Sequence, residues 1–213
     1  MTDPRTPPGT AEAAALMRVG AAAAAGDTAR LVEALEGAVR AGASVDHLEE
    51  IILQTYVFAG FPRAINAFYT WQGWLVRTGR TRGQIVHEPD SPEAWRRRGE
   101  ELCRRVYGES FEALQARLAR LHPALAEWTL VEGYGKVLSR PGPEAARREA
   151  AAVGALIALD ADRQLASHLS GALHVGLPRD ALETAARTVG GEWERAETVE
   201  RLLGELPAEG SAE

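Results

Sequence analysis

The sequence predicts an all-α protein, a helical fold of two fused repeats, and three observations carry that expectation. No window alternates apolar and polar residues with β-branched enrichment. Ala, Leu, Glu and Arg dominate, and apolar residues recur at helical spacing between recognisable caps. With 213 residues, of which 46% are hydrophobic and 25% charged, the chain has ample material for a buried core.

The elements follow in order from these signals. Residues 1–10 read as a disordered tail. An Ala-rich helix over 11–25 ends at Gly26, and its Ala21–Ala25 stretch reads as a tightly packed face. Asp27 opens a second helix carrying Leu31, Leu35, Ala38 and Val39 on one side. Gly42 suits the position after a helix end, and Ser44 suits the N-cap of a third helix running through Leu48, Ile51, Ile52 and Thr55. Gly60-Phe61-Pro62 reads as a stop, with Pro62 at the first position of a segment that carries Ile65, Phe68, Tyr69 and Trp71 to Leu75. Residues 78–91 lose the period and collect Gly, Pro, Asp and Ser, which predicts a linker. Ser91-Pro92-Glu93 opens the next helix. Further helices are expected near 110–121, 123–134, 143–159, 162–175, 178–189 and 192–204, before a tail at 207–213.

The two halves are related. Shifting residues 15–49 by 134 lays them on 149–183 without a gap, and Val19, Gly20, Leu31, Leu35, Gly37, Gly42, Asp46 and Leu48 then meet identical residues. The glycine matches, Gly37 with Gly171 and Gly42 with Gly176, are not a product of helix composition. We therefore expect a first repeat at 11–77, the linker at 78–91 and a second repeat with an N-terminal arm at 92–206. The copies differ where chemistry is at stake: Glu149 aligns with Ala15, and His168 aligns with Ala34.

Composition excludes several functions. Thirty acidic against 24 basic residues give a net charge of −6, and the basic residues are scattered, so nucleic acid is not an expected partner. No run of about 18 uncharged apolar residues occurs and the start carries no apolar leader, so neither a membrane partner nor export is expected, and a cytoplasmic location is. Cys103 is the sole cysteine, which removes an internal disulfide, a CxxC redox motif and a cysteine-based zinc site. It reads as a buried structural thiol.

Glu149 and His168 are the candidate catalytic pair. Each lies a few turns from the helix break near Asp160, so an antiparallel hairpin brings them to nearly the same level. A carboxylate that orients an imidazole is a minimal general acid–base unit, because histidine titrates near neutrality. The bland alternative is a core histidine with a surface glutamate. His174 lies about 240° further round the helix than His168, so the two cannot stack as metal ligands, and no metal site is expected. His47, His87 and His122 fall at helix starts, ends or the linker, where solvated or capping roles are expected. Lys136 is the sole lysine. Arg63, Arg140, Arg147 and Arg148 lie near the interesting segments, and nothing in their spacing chooses among them as carboxylate ligands.

The string LEEIILQTYVFAGFPRAINAF at 48–68 resembles the C-terminal core signature of the carboxymuconolactone decarboxylase family. YGKVLSRPG at 134–142 resembles the segment before that family's core hairpin, residues 147–183 resemble the core itself, and VYGESFEAL at 106–114 resembles the N-terminal arm of the decarboxylase branch. Together these strings cover most of 15–75 and 93–190. The resemblance implies an alkylhydroperoxidase D-like fold forming intertwined dimers and often hexamers, so a fused duplication would make a homo-oligomer of three chains. The peroxidase branch of that superfamily places two cysteines between its Glu and His. Here Ala161 and Gln164 stand at those places while Glu149 and His168 keep their register. An antioxidant or peroxidase role is accordingly disfavoured, since a thiolate is the nucleophile it requires.

The resemblance implies a carboxy-lyase acting without a cofactor on a small carboxylated lactone or related acid. His168 is then the general acid, oriented by Glu149, with Arg140 and Arg148 as carboxylate anchors and Tyr134 as a hydrogen-bond donor. Because similarity in the second copy ends at Gly190-Gly191-Glu192-Trp193, the first copy's Tyr56, Phe58 and Phe61 are expected to wall the pocket, giving one site per chain. A catalytically silent helical oligomer is the alternative from a different class.

Overall fold

The computed structural model describes residues 6–82 and 91–207, and among them every regular element is helical. The linker residues 83–90, with His87, and the outer parts of both tails lie outside the described residues. No helix among those described is long and apolar enough to cross a membrane.

Helix α1 (Thr10–Ala25) stops where Gly26 turns left-handed at φ 74°, a conformation that glycine adopts without a Cβ clash. Asp27 caps α2 (Thr28–Arg40) by accepting from the Arg30 N–H, and Ser44 caps α3 (Val45–Thr78) by accepting from the His47 N–H. The expected stop at Gly60 is a kink instead. Gly60 leaves helical geometry at φ 76° and ψ 173°, but Pro62 falls in the first turn of the following stretch, where its missing N–H removes no bond, so α3 resumes directly. Ser91 caps α4 (Pro92–Tyr107), which is followed by α5 (Phe111–Leu121) and the short α6 (Pro123–Trp128). His122 takes the capping role expected of it, its Nδ1 accepting from the Ala124 N–H.

The helix expected to run on to 134 changes winding. Residues Thr129–Leu138 form a π-helix, a rare form that is concentrated at functional positions. It packs along α4 at very short range. A Cβ on Gly99 would lie 2.2 Å from the Leu130 carbonyl oxygen, and one on Gly135 would lie 2.0 Å from that of Trp95. Helices α7 (Ala145–Ala158), α8 (Asp162–His174), α9 (Arg179–Glu192) and α10 (Ala196–Gly204) complete the chain.

At the centre, α1 and α7 are buried nearly all round. They run antiparallel with their backbones almost touching. A Cβ on Gly20 would stand 2.0 Å from the Ala151 oxygen, and one on Gly154 would stand 1.9 Å from the Met17 oxygen. The residue offset of 134 carries Gly20 to Gly154 and Met17 to Ala151, so the two contacts pair positions that align in the sequence. Helices α2, α3 and α9 surround this pair, with Trp71 and Trp74 of α3 fully buried and stacked at 5.1 Å. A second, smaller core joins Cys103, Val106, Phe111, Leu130, Tyr134 and Leu138 between α4, α5 and the π-helix.

The two kinds of glycine should respond oppositely to one methyl group. Gly154→Ala is expected to destabilise by about 1–3 kcal/mol or more, because the obstructing atom is backbone. Gly37→Ala meets only the Arg40 side chain at 3.9 Å and is expected to gain about 0.5–1 kcal/mol from helix propensity. Urea unfolding of both variants checks the pair.

Candidate functional site

Three consecutive charged residues, Arg147, Arg148 and Glu149, lie on the buried first half of α7, at 4%, 2% and 4% exposure. A buried charge is tolerated only with a partner, and each finds one on a different helix. Arg147 donates to Glu12 of α1 at 2.8 Å, Arg148 to Glu50 of α3 at 3.2 Å, and Glu149 meets His168 of α8 with 2.7 Å between Oε2 and Nδ1. The hairpin geometry expected from sequence therefore brings Glu149 and His168 together.

The rest of the pair's surroundings come from three elements. Phe58 of α3 packs edge-on against the His168 ring, with centroids 5.6 Å apart. Gly171, one turn beyond His168, admits α4 closely: a Cβ there would fall 2.6 Å from Val106 Cγ1 and 3.4 Å from Glu149 Oε2. From α4 and the π-helix, the Tyr134 hydroxyl donates to that of Tyr107 at 2.9 Å. Burial raises the pKa of both tyrosines, and the negative charge of Glu149 adds to the effect. The Cys103 thiol is pushed up to about 12, first by burial and then by Glu149.

This geometry fixes what the imidazole can do. With Nδ1 engaged by the Glu149 carboxyl group, Nε2 is the ring atom left to exchange a proton. No described residue hydrogen-bonds Nε2.

The other residues expected at the site are placed differently. Arg140 and Arg148 both bind Glu50, at 3.0 and 3.2 Å, and Arg148 also donates to the Arg140 carbonyl, so both guanidiniums are committed to one carboxylate. Burial lowers the Arg148 pKa while Glu50 opposes the shift. Tyr56 donates to Glu132, which pushes its pKa up to about 12, and Phe61 stacks on Tyr56 at 4.3 Å while remaining 63% exposed. Of the three aromatics expected to wall the pocket, Phe58 is the one in contact with His168.

Sequence inspection missed the residues beside the pair. A cavity of about 410 Å³ between α4, α5 and α8 is bounded by Val106, Tyr107, Arg117, Arg120, Ser167 and His174. Val106 and Tyr107 belong to both the cavity wall and the cluster around Glu149. His174 is fixed by its Nδ1 contact to the Val106 carbonyl at 2.8 Å. The signal available in sequence was the position of Ser167 beside His168 and of Arg117 and Arg120 on one turn of α5, which points nowhere until α5 is placed.

Compared with known proteins, the chain matches no family model and is similar to no curated protein.

Removing either member of the pair strands the other. Glu149→Ala and His168→Ala are each expected to destabilise by about 3–5 kcal/mol, whereas the double variant, which recreates the Ala15 and Ala34 of the first half, should lose clearly less than the sum. Equilibrium unfolding of the three variants reads the coupling. Cys103 should be silent to Ellman's reagent at pH 8 in the native protein and react fully in denaturant, since its thiol is buried and held protonated.

Proposed function

We propose that Glu149 and His168 form the acid–base centre of a small-molecule carboxy-lyase, of the type that the resemblance to carboxymuconolactone decarboxylases implies. The 2.7 Å buried contact between them is the observation that carries this reading. The substrate class is a small carboxylated unsaturated lactone or a related acid. The carbon–carbon bond to the carboxylate breaks, CO2 leaves, and the electron pair spreads into the conjugated ring. Protonation of that carbon by His168 Nε2 completes the step. Glu149 holds the imidazole in place for that transfer, and water restores the proton afterwards. No cofactor takes part in this scheme.

The carboxylate is held in the cavity beside the pair, where Arg117 and Arg120 replace Arg140 and Arg148 as its anchors. Substrate reaches Nε2 when α4 moves off α8 and lifts Val106 from Gly171. The position of Tyr134 on a π-helix next to that seal supports a moving element here. The fused two-fold arrangement and a homo-oligomer of three chains complete the proposal. The exposed stripe Phe61, Ile65, Tyr69 and Val76 along the outer half of α3 supports association.

One observation favours a second reading. His168 and Glu149 are only 6% and 4% exposed, which also suits a hydrogen bond that merely ties α7 to α8 in a catalytically silent protein. A peroxidase role has no comparable support, because Cys103 is the sole cysteine and is buried.

Release of CO2 and loss of ultraviolet absorbance from 4-carboxymuconolactone separate the two. The parent protein and Cys103→Ala are expected to be active, His168→Ala to lose at least about 100-fold in kcat, and Arg117→Ala to raise KM more than it lowers kcat. An inactive parent, or a folded His168→Ala variant with full activity, overturns the lyase.

A further inference from the structure

The first half keeps a space that the second half fills. On α7 and α8, the groove beside Glu149, His168 and Gly171 is covered by α4, whose Val106 sits on Gly171. The corresponding groove on α1 and α2, beside Ala15, Ala34 and Gly37, is uncovered among the described residues and forms a cavity of about 710 Å³. That volume lies inside the range of about 300–1,000 Å³ typical of small-molecule sites. Gly37 sits within α2 at negative φ, and a side chain there would meet only the Arg40 guanidinium, 3.9 Å from its Cβ. A helix-interior glycine costs about 1 kcal/mol relative to alanine, and no close packing among the described residues explains this one.

The rim of the cavity carries charge and one aromatic wall. Glu192 is held bidentately by Arg18, at 2.6 to 3.0 Å. Arg30 lies 4.6 Å over the Trp193 ring, donates to the Glu192 carbonyl at 3.2 Å and stands 3.6 Å from Asp27, and Arg40 stands 3.9 Å from Glu36. Both ion pairs are longer than the roughly 2.7–2.9 Å of a charge-assisted hydrogen bond, and a guanidinium carries five N–H donors, so each keeps donors for an incoming carboxylate. Glu33 is the other carboxylate on the rim, and it disfavours a doubly charged anion. The floor offers alanine methyls and the Gly37 backbone, which accept a flat apolar body.

We propose that this groove binds an organic acid with a flat apolar body and a single carboxylate, and holds it without turnover. Arg30 and Arg40 receive the carboxylate, and the body lies on Ala15, Ala34 and Gly37 beside Trp193. Ala15 and Ala34 stand where the other half carries its acid–base pair, so the bound acid meets no proton donor. This second site is independent of the lyase reading.

The test is calorimetric titration of the full chain with 2-naphthoate, against 2-naphthalenemethanol as the neutral control. We expect the alcohol to bind at least about tenfold more weakly than the acid. Gly37→Leu should abolish naphthoate binding with a Tm no lower than the parent's, since the leucine fills the groove without straining α2. Arg40→Gln should weaken binding several-fold, and Ser167→Leu, which crowds the cavity between α4, α5 and α8, should leave it unchanged, which separates this groove from the candidate active site. The proposal falls if the parent shows no binding at millimolar naphthoate, if acid and alcohol bind alike, or if Gly37→Leu still binds. A Gly37→Leu variant that binds naphthoate normally but changes its mass in light scattering would make the groove a contact between copies instead.

Discussion

The contact between α1 and α7 sets the terms for the whole molecule. Glycine at 20 and at 154 lets two backbones meet with no side chain between them, and both helices are then buried along most of their surface. A helix in that position can be all apolar, as α1 nearly is. Helix α7 is not, and its Arg147, Arg148 and Glu149 must each be neutralised inside the protein. The partners come from α1, α3 and α8, so three neighbouring helices are positioned by one buried run of charge. Buried ion pairs of this kind often contribute little net stability, because desolvation offsets the attraction. What they contribute here is registry, since a shift of α7 by one residue would leave three charges without partners.

The Glu149–His168 pair is one product of that arrangement, and its closeness follows from burial. Away from water the carboxylate has one strong donor within reach, and the 2.7 Å contact is the result. Around it the second half has collected Phe58, the Tyr107–Tyr134 pair and α4. The aligned positions on α1 and α2 carry no such pair. Ala15 and Ala34 replace the titratable groups, and a cavity stands where α4 would lie. Each half thus has what the other lacks, a charged pair under a cover or an open space over alanine.

Much of the scaffold was legible in the chain. The caps at Asp27, Ser44 and Ser91 and the left-handed turn at Gly26 stand where local chemistry places them, because a side-chain oxygen or a missing Cβ acts within a few residues. The meeting of Glu149 with His168 was legible for a related reason, since a hairpin of two helices has few geometries. Other features depend on distant partners. Arg140 and Arg148 are drawn to Glu50 from 90 and 98 residues away, and nothing near them in sequence indicates it. Gly60 followed by Pro62 looks like an end because each weakens a helix, whereas together they occupy the kink and the first turn after it, where neither does harm. Tyr107 and Arg117 reach the site only through the placement of α4 and α5.

The π-winding of Thr129–Leu138 makes this part of the chain sensitive to length. A π-wound stretch carries more residues per turn than an α-helix, and can relax to α by losing one of them. Each residue along an α-helix turns the side-chain direction by about 100°. A single deletion before Tyr134 would therefore swing its ring away from Tyr107, and it would pull Gly135 off the Trp95 carbonyl where no other residue fits. In most surface helices the removal of one residue is absorbed by a loop. Here Gly99 and Gly135 clamp the segment against α4 along its length, so among homologous chains this stretch should accept substitutions on its outer face while refusing insertions and deletions.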